Sequence, residues 1–141
     1  MRLRTLVSDV MTRDPVFATP EASVEAVAKM MVAGNCGEIP ICENGKVLGI
    51  VTDRDITCRT VARGIDASKT RARDVMTVLP VTVEESEPVA KAVALMKTER
   101  LRRLPVVSTH GTIVGIISQV DIAARSSRRR AGELLAVSGD M

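Results

Sequence analysis

The chain contains 141 residues, of which 45% are hydrophobic, yet Phe17 is the only aromatic side chain. A chain of this length forms one compact domain, or two small units that share a core, and that core must consist of aliphatic side chains and methionine. The formal net charge of +3 is mild, and with almost no aromatic side chains to stack on bases it argues against a nucleic-acid-binding protein.

Cysteine content and hydropathy indicate an intracellular protein. Cys36, Cys42 and Cys58 all fall in the first half of the chain and form no Cys-x-x-Cys pair, so a disulfide framework is not expected. The sequence has neither a run of about eighteen apolar residues nor the hydrophobic segment of a signal peptide. We therefore expect a soluble protein of the cytoplasm.

The first half of the chain predicts a mixture of helices and strands. The spacing of Val24, Val27 and Met31 is typical of an amphipathic helix. Asn44-Gly45 between two apolar runs predicts the turn of a hairpin. In chain order we expect a helical turn at 7–11, a strand at 15–19, a helix at 23–33, hairpin strands at 38–42 and 46–52, and a helix at 53–63.

The second half predicts the same order of elements. Pro88 lies near the start of the expected helix, where proline is tolerated. The elements are expected as a strand at 81–83, a helix at 87–98, hairpin strands at 104–107 and 112–118, and a closing helix at 119–126. Residues 65–72 are expected to form a polar connector, and residues 128–141 a basic and then flexible tail.

Two short motifs, each present twice, show that the chain consists of two copies of one unit. Asp74-Val-Met-Thr77 repeats Asp9-Val-Met-Thr12, and the segment Gly115–Asp121 repeats the pattern of Gly49–Asp55. Each copy has the order β-α-β-β-α, which predicts an α/β (α+β) fold with small sheets. Because each copy alone is small, the two copies are expected to pack together.

These motifs resemble those of a tandem pair of CBS domains, also called a Bateman module. The shared features are Asp-Val-Met-Thr before each first strand, the hydrophobic-Pro-hydrophobic hairpin strand, and Gly-x-x-Thr/Ser-x-x-Asp before the last helix. The likeness covers about residues 7–127, with one repeat at 7–64 and the other at 73–127. It implies two β-α-β-β-α repeats packed by pseudo-twofold symmetry into one compact module.

The sharpest candidate sites are two helix starts, at Thr52 with Asp55 and at Ser118 with Asp121. The spacing is that of a helix-capping box, which accounts for both pairs structurally. The free amides of a helix start can also hold an anion, and a nearby carboxylate can accept hydrogen bonds from a ribose. The resemblance implies that Asp55 and Asp121 bind the ribose of a nucleotide, with Thr52 and Ser118 close to its phosphates.

The resemblance also implies a slot for the base. In such pairs, the segment after Asp-Val-Met-Thr and the residue before the hairpin proline form it. A place in the core of a strand is an equally good account of any one of these residues. The candidates are Thr12, Pro15, Val16 and Ile39 in the first copy, and Thr77, Pro80, Val81 and Leu104 in the second.

The two copies differ where the resemblance implies a cation for the phosphates. The second copy has Arg102-Arg103 before its hairpin strand, whereas the first has Gly37-Glu38. Arginine binds phosphate with several donors, and glutamate repels it. We therefore expect two unequal clefts, one of them a poor polyphosphate site, although Arg102 and Arg103 also suit the solvated end of a helix.

The remaining candidates carry little chemistry. His110 lies in a predicted turn without neighbouring ligands, and Arg128–Arg130 suits a solvated helix end better than a nucleic-acid contact. The sequence shows no nucleophile with an adjacent base, no His-Glu-x-x-His motif and no P-loop. We expect no enzyme, no metal site and no required cofactor.

The function implied is that of a regulatory module. It would bind AMP, ADP or ATP in the cleft between repeats and signal to an unknown protein target, with NAD(H) or S-adenosylmethionine as other ligands. A homodimer is expected, with no membrane partner. Two alternatives remain: a ligand-independent dimerisation scaffold, favoured by Glu38, and a nucleic-acid-associated regulator using the arginines of residues 125–130. The helix faces that suit a dimer are Ala92, Leu95 and Met96, with Ile122 and Ala123.

Overall fold

The computed structural model describes residues 5–78 and 81–125. Within these residues the helices are α1 (Val7–Val10), α2 (Val24–Gly34), α3 (Asp53–Arg59), α4 (Ala72–Val75), α5 (Val89–Glu99) and α6 (119–125), with a 3₁₀ turn at Val61–Arg63. The strands are β1 (Thr12–Arg13), β2 (Glu38–Glu43), β3 (Lys46–Thr52), β4 (Thr77–Val78), β5 (Val83–Glu84), β6 (Arg103–Val107) and β7 (Ile113–Ser118). This is the mixed α/β (α+β) class that the sequence predicts.

The described residues form two compact units. The first-copy unit consists of residues 15–78 and 110–113, and the second-copy unit of residues 5–14, 81–109 and 114–125. The first-copy unit holds a sheet in the order β2-β3-β4, and the second-copy unit a sheet in the order β1-β7-β6-β5. The sequence repeats and the compact units therefore do not share boundaries.

The units exchange their first elements. The one-turn helix α1 and the strand β1 come from the first sequence copy but lie in the second-copy unit, where β1 pairs antiparallel with β7. In the same way α4 and β4 come from the second copy and lie in the first-copy unit, where β4 pairs antiparallel with β3. Each unit is thus completed by a short segment from the other copy.

The core of the first-copy unit lies between α2 and its sheet. Val24, Val27 and Met31 face inward from α2, as their helical spacing predicts, and pack with Ile39 and Val51. The exchanged helix α4 adds further apolar side chains to the same cluster. Cys42 lies on β2, where burial raises the pKa of its thiol to about 11 and keeps it protonated at neutral pH.

The core of the second-copy unit has the same plan. Ala92 and Met96 from α5 pack with Leu104 and Ile117 from the central strands, and Val7 from the exchanged helix α1 joins them. Ala92 is fully buried and Met96 is 3% exposed. Their predicted role in a dimer surface is wrong, because this face of α5 covers the unit's own sheet.

Local signals explain where the helix α2 and the first hairpin begin and end. Ser23 caps α2 by accepting a hydrogen bond from the amide of Ala26 at 3.0 Å, and Asn35 ends it in the left-handed conformation. In the hairpin turn, Asn44 and Gly45 both have positive φ, as a type I′ turn requires. The predicted hairpin is confirmed.

Several element boundaries differ from those predicted. The strand expected at 15–19 is reduced to a bridge between Ala18 and Ile41. The helix expected at 53–63 breaks at Thr60, whose hydroxyl donates to the carbonyl of Ile56 at 2.5 Å and competes with the helix. Residue 126 and the tail at 128–141 lie outside the described residues.

The connector is folded against α2. Asp66 accepts hydrogen bonds from the backbone and the hydroxyl of Ser68, which lower the pKa of its carboxyl group. The carbonyls of Ala67 and Thr70 accept the amides of Glu25 and Val24 at 3.1 and 2.8 Å. The connector therefore satisfies amides at the start of α2 that have no partner inside the helix.

Candidate functional site

The candidate site of the first-copy unit is built at the start of α3. Thr52 accepts a hydrogen bond from the amide of Asp55 at 3.0 Å, and Oδ2 of Asp55 accepts the amide of Thr52 at 2.9 Å. This reciprocal pair is the capping box that the sequence predicts. Asp55 is 9% exposed, so its carboxylate is held in a fixed position near the surface.

The exchanged strand β4 places a third polar side chain beside this carboxylate. Thr77 pairs with Ile50 of β3, and its hydroxyl lies 3.4 Å from both Oδ1 and Oδ2 of Asp55. These contacts are long for hydrogen bonds between oxygens. A ligand hydroxyl that approached Oδ1 of Asp55 would therefore compete with long, weak contacts only.

Arg59 joins α3 to the exchanged segment. Its Nη1 donates to the carbonyls of Val75 at 2.8 Å and Met76 at 3.2 Å, and it lies 3.8 Å from Oδ1 of Asp55. The side chain of Arg59 is 42% exposed. One guanidinium thus contacts both the carboxylate and the residues that precede Thr77.

The second-copy unit repeats this arrangement. Ser118 accepts the amide of Asp121 at 3.0 Å, and Oδ2 of Asp121 accepts the amide of Ser118 at 3.2 Å. Thr12, from the exchanged strand β1, lies with its hydroxyl 3.4 Å from the same oxygen. Arg125 donates to the carbonyl of Asp9 at 3.1 Å. An aspartate, a capping hydroxyl and a threonine therefore meet in both units, and an arginine on the same helix binds the exchanged segment in each.

A glycine in each unit allows the exchanged strand to approach. A Cβ on Gly49 would lie 2.4 Å from the carbonyl oxygen of Thr77, and a Cβ on Gly115 would lie 2.8 Å from that of Thr12. Both distances are too short for real atoms, so glycine is needed where β3 meets β4 and where β7 meets β1. The glycine of the repeated Gly-x-x-Thr/Ser-x-x-Asp motif is explained by this contact.

The two sites differ in the charge at their rim. In the first-copy unit, Glu38 is 9% exposed and stands opposite Thr52 in the β2–β3 register. In the second-copy unit the corresponding residue is Arg103, and the carbonyl of its neighbour Arg102 accepts the amide of Gln119 at the start of α6. An acidic residue therefore stands opposite Thr52 in the first-copy unit, and arginines occupy the equivalent positions of the chain in the second-copy unit.

The residues predicted to form the base slot are placed less uniformly. The side chains of Ile39 and Leu104 are fully buried in the two cores. These residues could therefore contact a ligand only through their backbone groups. Val16 is 60% exposed, and Pro15 and Val81 are half-buried. Pro80 lies outside the described residues.

Thr12 and Thr77 each lie in the unit that the other sequence copy forms. The sequence groups Thr12 with Ile39, but Thr12 lies in the second-copy unit beside Asp121. Thr77 lies in the first-copy unit beside Asp55. Sequence reasoning also missed Arg59 and Arg125. Both stand four residues after an aspartate on a helix, a spacing that places two side chains on one face.

The described residues offer no metal site. Across 5–78 and 81–125 no group of three or more His, Cys, Asp or Glu side chains could hold a metal ion. His110 is exposed in its turn, and its carbonyl accepts a hydrogen bond from Nζ of Lys46 at 2.5 Å.

No helix in the described part of the chain has the length and apolar character needed to span a bilayer.

Comparison with known proteins gives a family match over most of the chain. The model of the CBS domain family matches residues 7–59 and 72–128. The CBS domain-containing protein YhcV of Bacillus subtilis is 35% identical over 130 residues, which are 92% of this chain and 91% of YhcV. The protein MK0525 of Methanopyrus kandleri is 36% identical over 117 residues; the match covers 82% of this chain but only 60% of MK0525.

Solved structures share the fold. The protein AcuB from Vibrio cholerae has a TM-score of 0.81 and 27% identity, over 96% of this chain and 98% of AcuB. The CBS domain pair of protein MJ0100, in complex with 5′-methylthioadenosine and S-adenosyl-L-methionine, has a TM-score of 0.78 and 29% identity, over 90% and 99% of the two chains. CBSX2 in complex with AMP has a TM-score of 0.76 over 89% and 98%, but its 23% identity supports a likeness of fold alone.

Proposed function

Because this chain belongs to the CBS domain family, we propose that it is a regulatory module that binds an adenosine-containing nucleotide and signals to a partner protein by a change of conformation. The observation that carries the proposal is the set of an aspartate, a capping hydroxyl, a threonine and an arginine, assembled once in each unit. A capping box alone requires only the first two of these groups.

The proposed contacts follow from hydrogen-bonding capacity. An ionised carboxylate offers two acceptor oxygens, and the two hydroxyls of a ribose are matching donors. Asp55 and Asp121 each use Oδ2 for the cap, which leaves Oδ1 as the acceptor oxygen that the cap does not use. Thr52 and Ser118 lie beside the two aspartates, where their hydroxyls would contact the phosphate attached to the ribose.

The ligand class is an adenosine compound, and AMP, ADP and ATP are the first choices. A similar structure supports the adenosine group: the MJ0100 pair is in complex with 5′-methylthioadenosine and S-adenosyl-L-methionine. NAD(H) shares this group and remains a further ligand to test. The flat base would be read by shape and by backbone groups around Ile39 and Leu104.

The two sites are proposed to be unequal. Arg102 and Arg103 favour a phosphorylated ligand in the second-copy unit, whereas Glu38 opposes one in the first-copy unit. Signalling would be a population shift, in which the ligand favours one conformation that a partner recognises. No chemical step is proposed, and the free thiols of Cys36, Cys42 and Cys58 are consistent with a cytoplasmic location.

Thermal-shift and calorimetric titrations with AMP, ADP, ATP, NADH and S-adenosylmethionine test the proposal. A ligand at a hundred times its dissociation constant stabilises the folded state by about 2.7 kcal/mol. We expect AMP, ADP or ATP to raise the melting temperature, and Asp121→Asn to remove most of that rise because the amide loses one acceptor oxygen. Arg103→Ala should weaken ATP binding more than adenosine binding.

Asp66→Asn is the matched control, because Asp66 is an exposed aspartate of the connector that bonds only within its own turn. It should leave the titrations unchanged. If none of the five ligands shifts the melting temperature of the parent protein, the scaffold function replaces this proposal. If Asp121→Asn binds as well as the parent protein, the assignment of the ribose to Asp121 is wrong.

A further inference from the structure

Each unit contains an arginine whose position the capping box does not explain. Arg59 and Arg125 stand on α3 and α6, one helical turn after Asp55 and Asp121. Arg59 donates to the carbonyls of Val75 and Met76 at the end of α4, and Arg125 donates to the carbonyl of Asp9 in the single turn of α1. In both units the arginine therefore binds the backbone of a one-turn helix that comes from the other sequence copy.

The acceptors are backbone groups that the short helices cannot satisfy. The last carbonyls of a helix have no partner inside it and carry a partial negative charge. Val75 ends α4 and Met76 is its C-cap, and both carbonyls accept from Nη1 of Arg59. A cation here satisfies two carbonyls with one nitrogen and fixes the direction in which the chain leaves α4.

The residue that follows in the chain is Thr77. Its hydroxyl contacts both carboxylate oxygens of Asp55 at 3.4 Å, and Arg59 lies 3.8 Å from one of those oxygens. Arg59, Asp55 and Thr77 are therefore joined by contacts. The guanidinium of Arg59 contacts both the carboxylate of Asp55 and the peptide that precedes Thr77. In the second-copy unit Arg125, Asp121 and Thr12 have the same sequence relationship.

We infer that Arg59 and Arg125 are positioning residues of the two nucleotide sites: each fastens the exchanged segment and so sets the threonine against the ligand-binding aspartate. This inference rests on the proposed function for its ligand. The arginine acts through Thr77 or Thr12 and through the orientation of the carboxylate.

The first-copy unit offers the sharper experiment, because Arg59 has a matched control in Arg63. Arg63 is exposed at the end of the 3₁₀ turn, four residues further along. Hydrogen exchange of ligand-free protein is measured first on the parent, Arg59→Met and Arg63→Met. We expect faster exchange at the amides of 76–78 in Arg59→Met alone, because the carbonyls next to them lose their donor.

Calorimetric titration of AMP and of adenosine into the same proteins is the second measurement. An Asp121→Asn background isolates the first-copy site. Loss of a charged hydrogen bond that positions the site should weaken adenosine binding by about tenfold, and Arg63→Met should not change it. In a Thr77→Val background, Arg59→Met should cost much less than tenfold, since the two residues act through one contact.

The outcomes separate this inference from the proposed function. Unchanged exchange at 76–78 in Arg59→Met overturns the inference, whatever the ligand result. Faster exchange with unchanged adenosine binding also overturns it, because Arg59 is then structural only. If the parent protein binds neither compound, the proposed function fails together with the role in binding, while the exchange result still decides whether Arg59 holds the segment of Thr77.

Discussion

At the scale of single residues, the site depends on glycines at which two backbone segments approach too closely to leave room for a Cβ atom. Gly49 meets the backbone of Thr77 where β3 and β4 pair, and the carbonyl oxygen of Thr77 occupies the place of a methyl group. The same peptide carries the threonine that contacts Asp55. In this unit, the glycine that lets β4 approach β3 is therefore also needed to place Thr77 beside Asp55.

We expect Gly49→Ala to destabilise the protein and to weaken nucleotide binding at the first-copy site. The added methyl group must displace β4, and overpacking of this kind costs about 1–3 kcal/mol. Urea unfolding measures the loss of stability, and titration in the Asp121→Asn background measures the loss of binding.

Gly34→Ala provides the matched control. A Cβ at Gly34 would meet only the sulfur of Cys36, at an ordinary contact distance of 3.5 Å. Alanine there favours the last turn of α2, so stability should stay the same or rise slightly. Equal destabilisation by both substitutions would contradict the explanation of the glycine motif.

The sequence could predict those parts of the site whose contacts join residues close together in the chain. The capping pairs of Asp55 and Asp121 are local, three residues apart, and the repeated motif shows them directly. The contact of Thr12 with Asp121 spans 109 residues, and nothing in the spacing of either motif indicates it. Arg59 could have been found from its helical spacing alone, but the carbonyls it binds belong to the exchanged segment.

At the scale of elements, the shortest ones have the largest effect on the fold. The helix α4 has one turn, yet Ala72 and Val75 are fully buried in the core of the first-copy unit. The hydrophobic patterns of the long helices and of the hairpins predicted their type and approximate bounds. Those patterns could not predict the exchange of α1 and α4, because a single turn carries no periodicity and its buried residues fit either core.

The exchange predicts that the two sequence copies will not fold separately. A fragment of residues 1–64 lacks α4 and β4, and a fragment of residues 65–141 lacks α1 and β1. We expect neither fragment to show cooperative thermal unfolding by circular dichroism, and an equimolar mixture to recover it, because each fragment supplies the segment that the other needs.

Val75→Asp in the longer fragment is the control for this mixture. Val75 is 2% exposed, and an unpaired carboxylate in that position is strongly unfavourable. This fragment should fail to restore the first-copy unit. Cooperative unfolding of the 1–64 fragment alone would show that the exchanged elements are dispensable.

At the scale of the whole molecule, exposed apolar side chains are the candidates for the expected homodimer contact. Val32 on α2 is 82% exposed and Val61 in the 3₁₀ turn is 70% exposed. Burial of such side chains in an interface is favourable. These residues replace Ala92 and Met96 as candidates for the expected dimer contact.

Sedimentation velocity at micromolar concentration tests this expectation. We expect a homodimer for the parent protein and a monomer for Val32→Glu or Val61→Glu. The melting temperature of each variant is compared with that of the parent protein diluted until it is monomeric. Equal values would show that the substitutions leave the fold intact. A monodisperse monomer of the parent protein at this concentration would rule the homodimer out.

The exchange of segments also sets an order of events during synthesis on the ribosome. Residues 15–78 of the first-copy unit can pair as soon as β4 emerges, whereas β1 must wait until β7 has been made, since Thr12 pairs with Ile116. At about 5–20 residues per second this delay lasts several seconds. During that time residues 5–14 remain without their native partner, with Val7 and Met11 still exposed to solvent. Among the paired strands of the described residues, β1 therefore waits longest for its partner, although it is made before all the others.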